Sequence, residues 1–586
     1  MDLTRKEKFV IIYENSIILV SKNEKGGSSH ILWEHRTMKN FVRVTCLLLA
    51  CLFCLLAVVA CTGDKNKNRK NTDVNVKVDG NGVRWAEDEW GVWREYDNLP
   101  DDLNYDDTVS LLYWTGSNTV RPEFAQSEEV DDAILSSIYK RNQAVQNRLG
   151  VELNLIPEPG DAGDRDTFVA RVQRAKDSGT HDFDLIGSYS PTAGMFLMAG
   201  LIQNMSAIEN SYLEMSKPWW PVNLAHNMAI NGNVYFLSGD CSTNAIWQMH
   251  SLTFNKDLLN EKYEQDAEEY FAENPHVKTP ATGLEGGATA TNMLYEKVYA
   301  GKWTIDELIY LASDTYVDAR GDGLTVDDTY GLCTSGTAST ALYGGCNLRQ
   351  IEPTTDGSIL KISDDWTSTR CVRLAAKLYT LFGTPSFTTS GFGTSTGQNV
   401  TFYNGTCFFS LHYLRQAEQV SNNDKVENYG VLPAPKYDLN QKNYYTVIGN
   451  EFSVYTIFID FDKRDSEQET LSMLSAVLEC WTSEAYRKTT PVIFELSLKL
   501  KSSPTQCEAD MCEIIRASIE FDLGRVLRAQ LSGSVNGSFS MDGQLTANAA
   551  MNGTPWVSQY SQHLTRIQTN LKDFVTKLKK TMVEVK

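Results

Sequence analysis

The chain is poor in histidine and carries no zinc-hydrolase or nucleotide-binding signature. Its eight histidines (His30, His35, His181, His226, His250, His276, His412 and His563) are scattered over 586 residues without ligand spacing. No HExxH or Walker A pattern occurs, which removes the usual sequence grounds for a zinc hydrolase or a nucleoside triphosphatase. Beyond Cys61, no CxxC or Cys/His metal spacing occurs either. Eight cysteines follow Cys61 (Cys241, Cys333, Cys346, Cys371, Cys407, Cys480, Cys507 and Cys512), too few for a disulfide scaffold in 526 residues. Cys333 and Cys346 flank a Gly/Ser/Thr-rich stretch and are spaced for a bridge, with buried thiols as the alternative. Positive charge is also in deficit, with 54 Lys and Arg against 74 Asp and Glu. Residues 1–60 hold eight basic and five acidic residues, so the remainder is near −23. Such a chain does not bind nucleic acid non-specifically, and it stays soluble beside an anionic membrane.

What the chain does have begins with an apolar run from Cys46 to Ala60, flanked by Lys39 and Arg43 and closed by Val58-Val59-Ala60-Cys61. This stretch resembles the lipobox of bacterial lipoproteins, in which small residues precede a cysteine that is lipidated and becomes the first residue of the mature protein. The competing reading is an uncleaved transmembrane helix over Phe41 to Ala60. Small residues directly before Cys61 favour cleavage, and both readings place the rest of the chain outside the cytoplasm. Met38 suits the start of a signal peptide, so residues 1–37 are read as an over-extended start or leader and are left out of the fold. Residues 61–104 are read as a lipid-anchored tether followed by a Trp-studded extension (Trp85, Trp90, Trp93) that packs on the domain.

From Val109 the pattern is strand, helix, strand, helix, strand: Val109–Gly116, Val130–Leu149, Val151–Ile156, Asp166–Lys176 and Asp184–Gly187. This order predicts a parallel sheet with crossover helices and a ligand at the C-terminal strand ends. Phe183-Asp-Leu-Ile-Gly-Ser-Tyr-Ser190, Ala199-Gly-Leu-Ile-Gln-Asn204, Asn233-Val-Tyr-Phe-Leu-Ser-Gly239 and Leu252-Thr-Phe-Asn-Lys-Asp-Leu258 follow in order. Together, behind the lipobox, they resemble the extracellular solute-binding proteins of ABC importers, in the branch of sugar-binding lipoproteins (family 1). The resemblance continues through Trp303–Leu308, where Thr304 and Glu307 form a capping box, Asp327–Leu332, Phe402–Ser410, Tyr429–Asp438 and Phe452–Phe458. Further helices are expected over Ser466–Trp481, Pro491–Leu500, Cys507–Phe521 and Trp556–Met582. Glu261–Thr291 departs from the pattern and is read as a surface insertion.

The resemblance implies an α/β, two-lobed periplasmic-binding-protein-like fold of type II, each lobe a mainly parallel sheet flanked by helices and joined by a hinge. Lobe one is expected over 105–253 and about 452–500, and lobe two over 254–451 and about 501–586. The crossings are expected near Leu252–Lys256 and Gly449–Phe452. It implies a non-enzymatic role, delivery of a captured sugar or oligosaccharide to membrane permease subunits by a monomer without cofactor, anchored through Cys61 to the outer face of the cytoplasmic membrane. A peptide or other non-sugar solute, or an adhesin or sensor uncoupled from transport, is the alternative.

A sugar site needs aromatic faces and planar polar groups. The candidates at strand ends are Trp114, Ser188, Tyr189, Asp240 and Trp247 in lobe one. Tyr343, Asn347, His412, Tyr413 and Arg415 are the candidates in lobe two, with Asn450 and Glu451 at the hinge. Trp219 and Trp220 read as structural. The loop Asp318 to Thr329 departs from a calcium hand at Arg320 and Thr329, so it is read as a polar turn with no required metal.

Overall fold

The computed structural model describes residues 8–13, 16–21, 74–116, 121–124, 126, 128–221, 223–275, 287–334, 337–354, 356, 358–388, 400–421, 423–497, 506–532 and 545–584. Cys61, the apolar run before it and the Gly391–Gly393 loop lie outside these residues. The chain divides into a unit of residues 1–69 and a unit of residues 70–586. In the first, β1 (Lys8–Tyr13) and β2 (Ser16–Ser21) pair as an antiparallel hairpin, in a stretch the sequence reading had left out of the fold. Among the described residues, no helix is long and apolar enough to cross a membrane.

The second unit opens with a three-stranded antiparallel meander, β3 (Val76–Val78), β4 (Arg84–Glu87) and β5 (Trp93–Glu95), where the sequence shows tryptophans without a period. The segment after it carries Tyr96, Asp97 and Leu99, all buried. These residues dock against the helix Glu467–Ser497 through a dry ionic cluster. Arg148 reaches Asp97 at 2.6 Å and Glu484 at 3.1 Å, and Arg487 reaches Glu484 at 2.6 Å.

Two larger sheets follow. The first runs β7–β6–β8–β17, built from β6 (Asp107–Thr115), β7 (Val151–Pro159), β8 (Leu185–Tyr189) and β17 (Ser453–Ile457). β6 lies parallel to β7 and β8, and β17 is antiparallel to β8. The crossover helices Ala133–Leu149 and Arg165–Ser178 each end on a left-handed glycine, Gly150 and Gly179, a backbone conformation that glycine adopts without a Cβ penalty. The second sheet runs β13–β10–β14–β9–β15, from β9 (His250–Asn255), β10 (Tyr330–Thr334), β13 (Phe387–Thr388), β14 (Cys407–Tyr413) and β15 (Tyr429–Leu432). Here β9 alone is antiparallel to its neighbours. A small hairpin, β11 (Ile351–Pro353) with β12 (Leu360–Ile362), lies between β10 and β13 in sequence.

Both sheets therefore share one order: second strand, first, third, then an antiparallel strand adjoining a passage between the sheets. This is the type II arrangement of two-lobed binding-protein folds, each lobe with a mainly parallel sheet. The chain passes from the first sheet to the second just before β9 and returns before β17. The two passages lie side by side: Met249 bridges Ile448, and the Gly449 amide donates to the Gln248 carbonyl at 2.7 Å. A third passage joins them where β18 (Ile519–Glu520) pairs in parallel with β16 (Thr446–Val447).

Period-two alternation supplies two cores. Tyr330, Tyr429 and Val431 join the first, while Leu252, Phe254, Leu332 and Leu432 join the second. The C-terminal helix Trp556–Glu584 spans both cores, with Trp556, Tyr560 and Ile567 in the second and Leu571, Phe574 and Leu578 in the first. The eight described cysteines are free and buried, including Cys333 and Cys346. Thr304 caps its helix by accepting from the Glu307 amide at 3.4 Å, but the Glu307 carboxylate pairs with Lys297 instead of returning to the cap. One helix, Glu467–Ser497, runs straight through Pro491 where two were expected. Burial along this segment and the bond from Thr490 Oγ1 to Asp240 Oδ2 (2.8 Å) outweigh the local cost of proline. The expected insertion carries a helix, Glu264–Glu273, tied down beside it by the Tyr263 hydroxyl on the Leu311 carbonyl at 2.8 Å.

Burial alone would raise the Glu484 carboxyl, but Arg487, Arg148 and Lys488 hold it down at about 2. Its folded value lies below the ordinary 4.5, so the stabilisation is complete above that pH and is lost as pH falls towards 2. Glu484→Gln should cost about 3–5 kcal/mol in urea denaturation at pH 7, because it leaves two buried guanidinium groups short of a counter-charge. The deficit relative to the parent protein should shrink between pH 4.5 and pH 2; an equal deficit at both ends of that range would contradict this account.

Candidate functional site

The C-terminal strand ends of both sheets meet at the passages between them, the place where open α/β sheets bind ligands. From the first sheet, Tyr189 closes β8 and sets its ring 5.2 Å from that of Trp114 at the end of β6. Beneath them lies a polar network that fixes both strand ends. Trp114 Nε1 donates to Ser453 Oγ at 2.7 Å, and Ser453 Oγ donates to the buried Glu123 carboxylate. Glu123 also accepts from Ser242 Oγ at 2.5 Å and from the Asn244 amide at 2.9 Å. Burial pushes the Glu123 carboxyl up, against the opposing pull of these hydrogen bonds.

From the second sheet, Tyr413 closes β14, its ring 4.6 Å from His250 and 4.9 Å from His412, with the Arg415 guanidinium 5.3 Å from its centre. His412 Nδ1 is buried without a partner, and burial, then the charge of Arg415, pushes the imidazole down to about 4. The two phenols share a charged environment. Both titrate above the ordinary tyrosine value, first because they are buried, and both feel Glu451 and Arg528. Arg165 acts on Tyr189, while Arg525 and Arg415 act on Tyr413.

The passage residues complete this region. Glu451 accepts from Gln248 Nε2 at 3.0 Å. The Asn450 carbonyl accepts from Ser190 Oγ at 2.7 Å, and its side-chain oxygen accepts from Arg525 Nη2 at 3.2 Å. Gly449 has no room for a side chain: a Cβ there would stand 2.3 Å from Gln248 Oε1 and 2.8 Å from Tyr413 Cε1. Trp247, immediately before Gln248, is buried with its indole N–H unpaired, and Arg121 lies 5.0 Å from its ring centre. Ser188 is buried in β8 with its hydroxyl unpaired.

Trp114, Ser188, Tyr189, Trp247, His412, Tyr413, Arg415, Asn450 and Glu451 are thus gathered at the lobe junction. Asp240 is placed elsewhere, in a buried pair with Arg516 at 3.5 Å, bonded by Thr490 and pushed up to about 6 by burial against the pull of Arg516. Tyr343 and Asn347 line a small, partly open pocket that also touches Arg349, Glu520, Asp522 and Arg525. The Trp219 and Trp220 indoles both donate to Glu479, at 3.0 and 2.9 Å, inside lobe one. Arg165, Arg525, Arg528, Gln248 and Glu123 escape a reading of the sequence, because no local pattern marks a residue brought to a site from a distant helix or loop.

The acidic loop brings oxygens of Asp318, Asp322 and Asp328 within 4.8 Å of one another. Its own backbone takes up much of that charge: Asp318 accepts from the amides of Arg320, Gly321, Asp322 and Gly323, and Asp328 from those of Ala319 and Thr325.

No model of a known protein family matches the chain, and no curated protein matches it. Among solved structures it is similar to the maltose-binding periplasmic protein of Listeria monocytogenes in complex with maltose (14% identity, TM-score 0.45, covering 80% of this chain and 98% of that one). It is also similar to a cyclo/maltodextrin-binding protein complexed with maltotetraose (13% identity, TM-score 0.44, 83% and 98%). A family 1 extracellular solute-binding protein from Bifidobacterium longum subsp. infantis gives 11% identity and a TM-score of 0.41, covering 82% of this chain and 100% of that one. These values are too low to carry a function over to this chain.

Proposed function

We propose that this chain is the substrate-binding component of an ABC importer, capturing a sugar or oligosaccharide between its lobes and handing it to membrane permease subunits without chemical change. The observation behind this reading is the meeting of Tyr189 and Tyr413, one from each sheet, around the shared charges of Glu451 and Arg528. Aromatic rings cover the C–H faces of a pyranose while carboxylate and guanidinium groups pair with its hydroxyls. A ligand that touches both lobes stabilises the closed arrangement, and closure is what a transporter can recognise.

On this reading Cys61 carries the lipid that keeps the protein at the outer face of the membrane. One acyl chain anchors only weakly, so more than one chain is needed for stable retention. Cys61→Ala should move the protein from the membrane fraction to the soluble fraction; retention in the membrane would favour the uncleaved helix.

The ligand class is tested by a thermal-shift screen of the full chain against mono- and oligosaccharides, amino acids and peptides. Binding at one hundred times Kd adds about 2.7 kcal/mol of stability, enough to read as a rise of several degrees. A saturable rise with one glycan class, abolished in Tyr189→Ala and kept in Asp240→Asn, is expected. A rise with peptides alone would remove the sugar assignment, and silence across the screen would favour an adhesin or sensor.

A further inference from the structure

Arg165 opens the helix Arg165–Ser178, directly after the loop that leaves β7. Its side chain is only 6% exposed, yet among the described residues it makes no hydrogen bond or ion pair, and its Nε is buried without a partner. A buried guanidinium nitrogen left without a partner costs free energy, while the rest of the group is open to a ligand. Its place at a helix N-terminus makes matters worse, since the helix dipole already puts positive charge there.

A second arginine approaches the same phenol from another element. Arg528 begins the short helix Arg528–Ser532, which packs against residues 190–192 and the helix Ala193–Met198, immediately after Tyr189. Among the described residues Arg528 has no ion pair, and it acts on both Tyr189 and Tyr413. Around these two rings Arg165, Arg415, Arg525 and Arg528 stand against Glu451, with Asp522 near Arg525 engaged by the amides of Gln350, Ile351 and Gly524.

A site for uncharged sugars pairs its arginines with carboxylates and offers the rest of each group to hydroxyls. An arginine buried without a carboxylate is matched instead to a planar or tetrahedral anion, which a guanidinium holds with two parallel hydrogen bonds. Resting on the sugar-binding reading above, we infer that the ligand is a glycan bearing a carboxylate or sulfate group, and that this anion seats between Arg165 and Arg528 beside Tyr189.

The test is calorimetric titration of the full chain with three kinds of oligosaccharide. Trimers of galacturonate, mannuronate and guluronate carry carboxylates alone, a carrageenan tetrasaccharide carries sulfate alone, and maltotriose and mannotriose are uncharged. At least one charged glycan should bind at least tenfold tighter than either uncharged one. Arg165→Gln and Arg528→Gln should each weaken it at least tenfold, and the charged class that binds identifies the anion. An uncharged trisaccharide binding as tightly as any charged one, or Arg165→Gln leaving the charged glycan's affinity unchanged, would overturn the inference while leaving the sugar reading intact. Binding of peptides and no glycan would overturn both. A ligand-free readout decides independently of the choice of probes: Arg165→Gln should raise the melting temperature of the free protein, and a fall would show that protein contacts hold Arg165 and so would overturn the inference.

Discussion

The pairing of the two passages between the sheets, Met249 beside Ile448 and Gln248 beside Gly449, is the constraint on which the rest of the structure depends. It is a short stretch of antiparallel backbone, and Arg525 Nη2 and the Leu414 amide donate to the Ile448 and Met249 carbonyls at 2.9 and 2.7 Å. His250 Nδ1 meets the Val447 carbonyl at 2.9 Å on one side, and Gly449 lies against Tyr413 on the other with no space for a Cβ. Because β9 and β17 adjoin these passages, a change in their relative angle moves one sheet against the other while leaving each ladder intact. Residues at the passages also furnish the site: Gln248 holds Glu451, and Asn450 receives both Ser190 and Arg525. The passages and the proposed site thus share the same few residues, so on the proposed reading a ligand held there would act directly on the angle between the sheets.

Around this constraint the charges are distributed by purpose. The ionic cluster of Asp97, Arg148, Glu484 and Arg487 balances two guanidinium groups against two carboxylates, and it fastens the N-terminal extension to lobe one. Asp240 and Arg516 are likewise matched. At the lobe junction, among the described residues, Arg165 is buried without an ion pair, and the hydroxyl of Ser188, the indole N–H of Trp247 and Nδ1 of His412 are buried without partners. Such groups also occur elsewhere in the fold, at Tyr295, Arg487 and Thr489 among others; at the junction a bound ligand would complete their bonding.

Much of the architecture was legible in the sequence, because it rests on local periodicity. The apolar run ending at Trp114, the alternation after Val151 and the run around Leu185 became β6, β7 and β8, and the Thr304 cap formed as its spacing implies. Three features were not legible. The meander β3–β5 is made of strands only three or four residues long, below the length at which alternation shows. The helix through Pro491 is held by burial, which outweighs a local breaker. The site was legible only in part: aromatic residues at strand ends can be picked out, but the arginines that give the junction its charge come from residues 165, 525 and 528. Their burial and company are set by packing between distant parts of the chain. The same limit applies to Tyr343 and Asn347, whose Gly-rich loop gives no sign of which cavity it lines.

The most direct test of the account is whether binding moves the lobes. Spin labels at Arg174→Cys in lobe one and Arg373→Cys in lobe two, both on exposed helix positions, report the separation of the two sheets' outer helices. With a saturating glycan the account predicts that the distance distribution shifts to a second, discrete separation, and that Tyr413→Ala abolishes the shift. A glycan that binds and leaves the distribution unchanged would contradict the claim that ligand capture and hinge closure are one event.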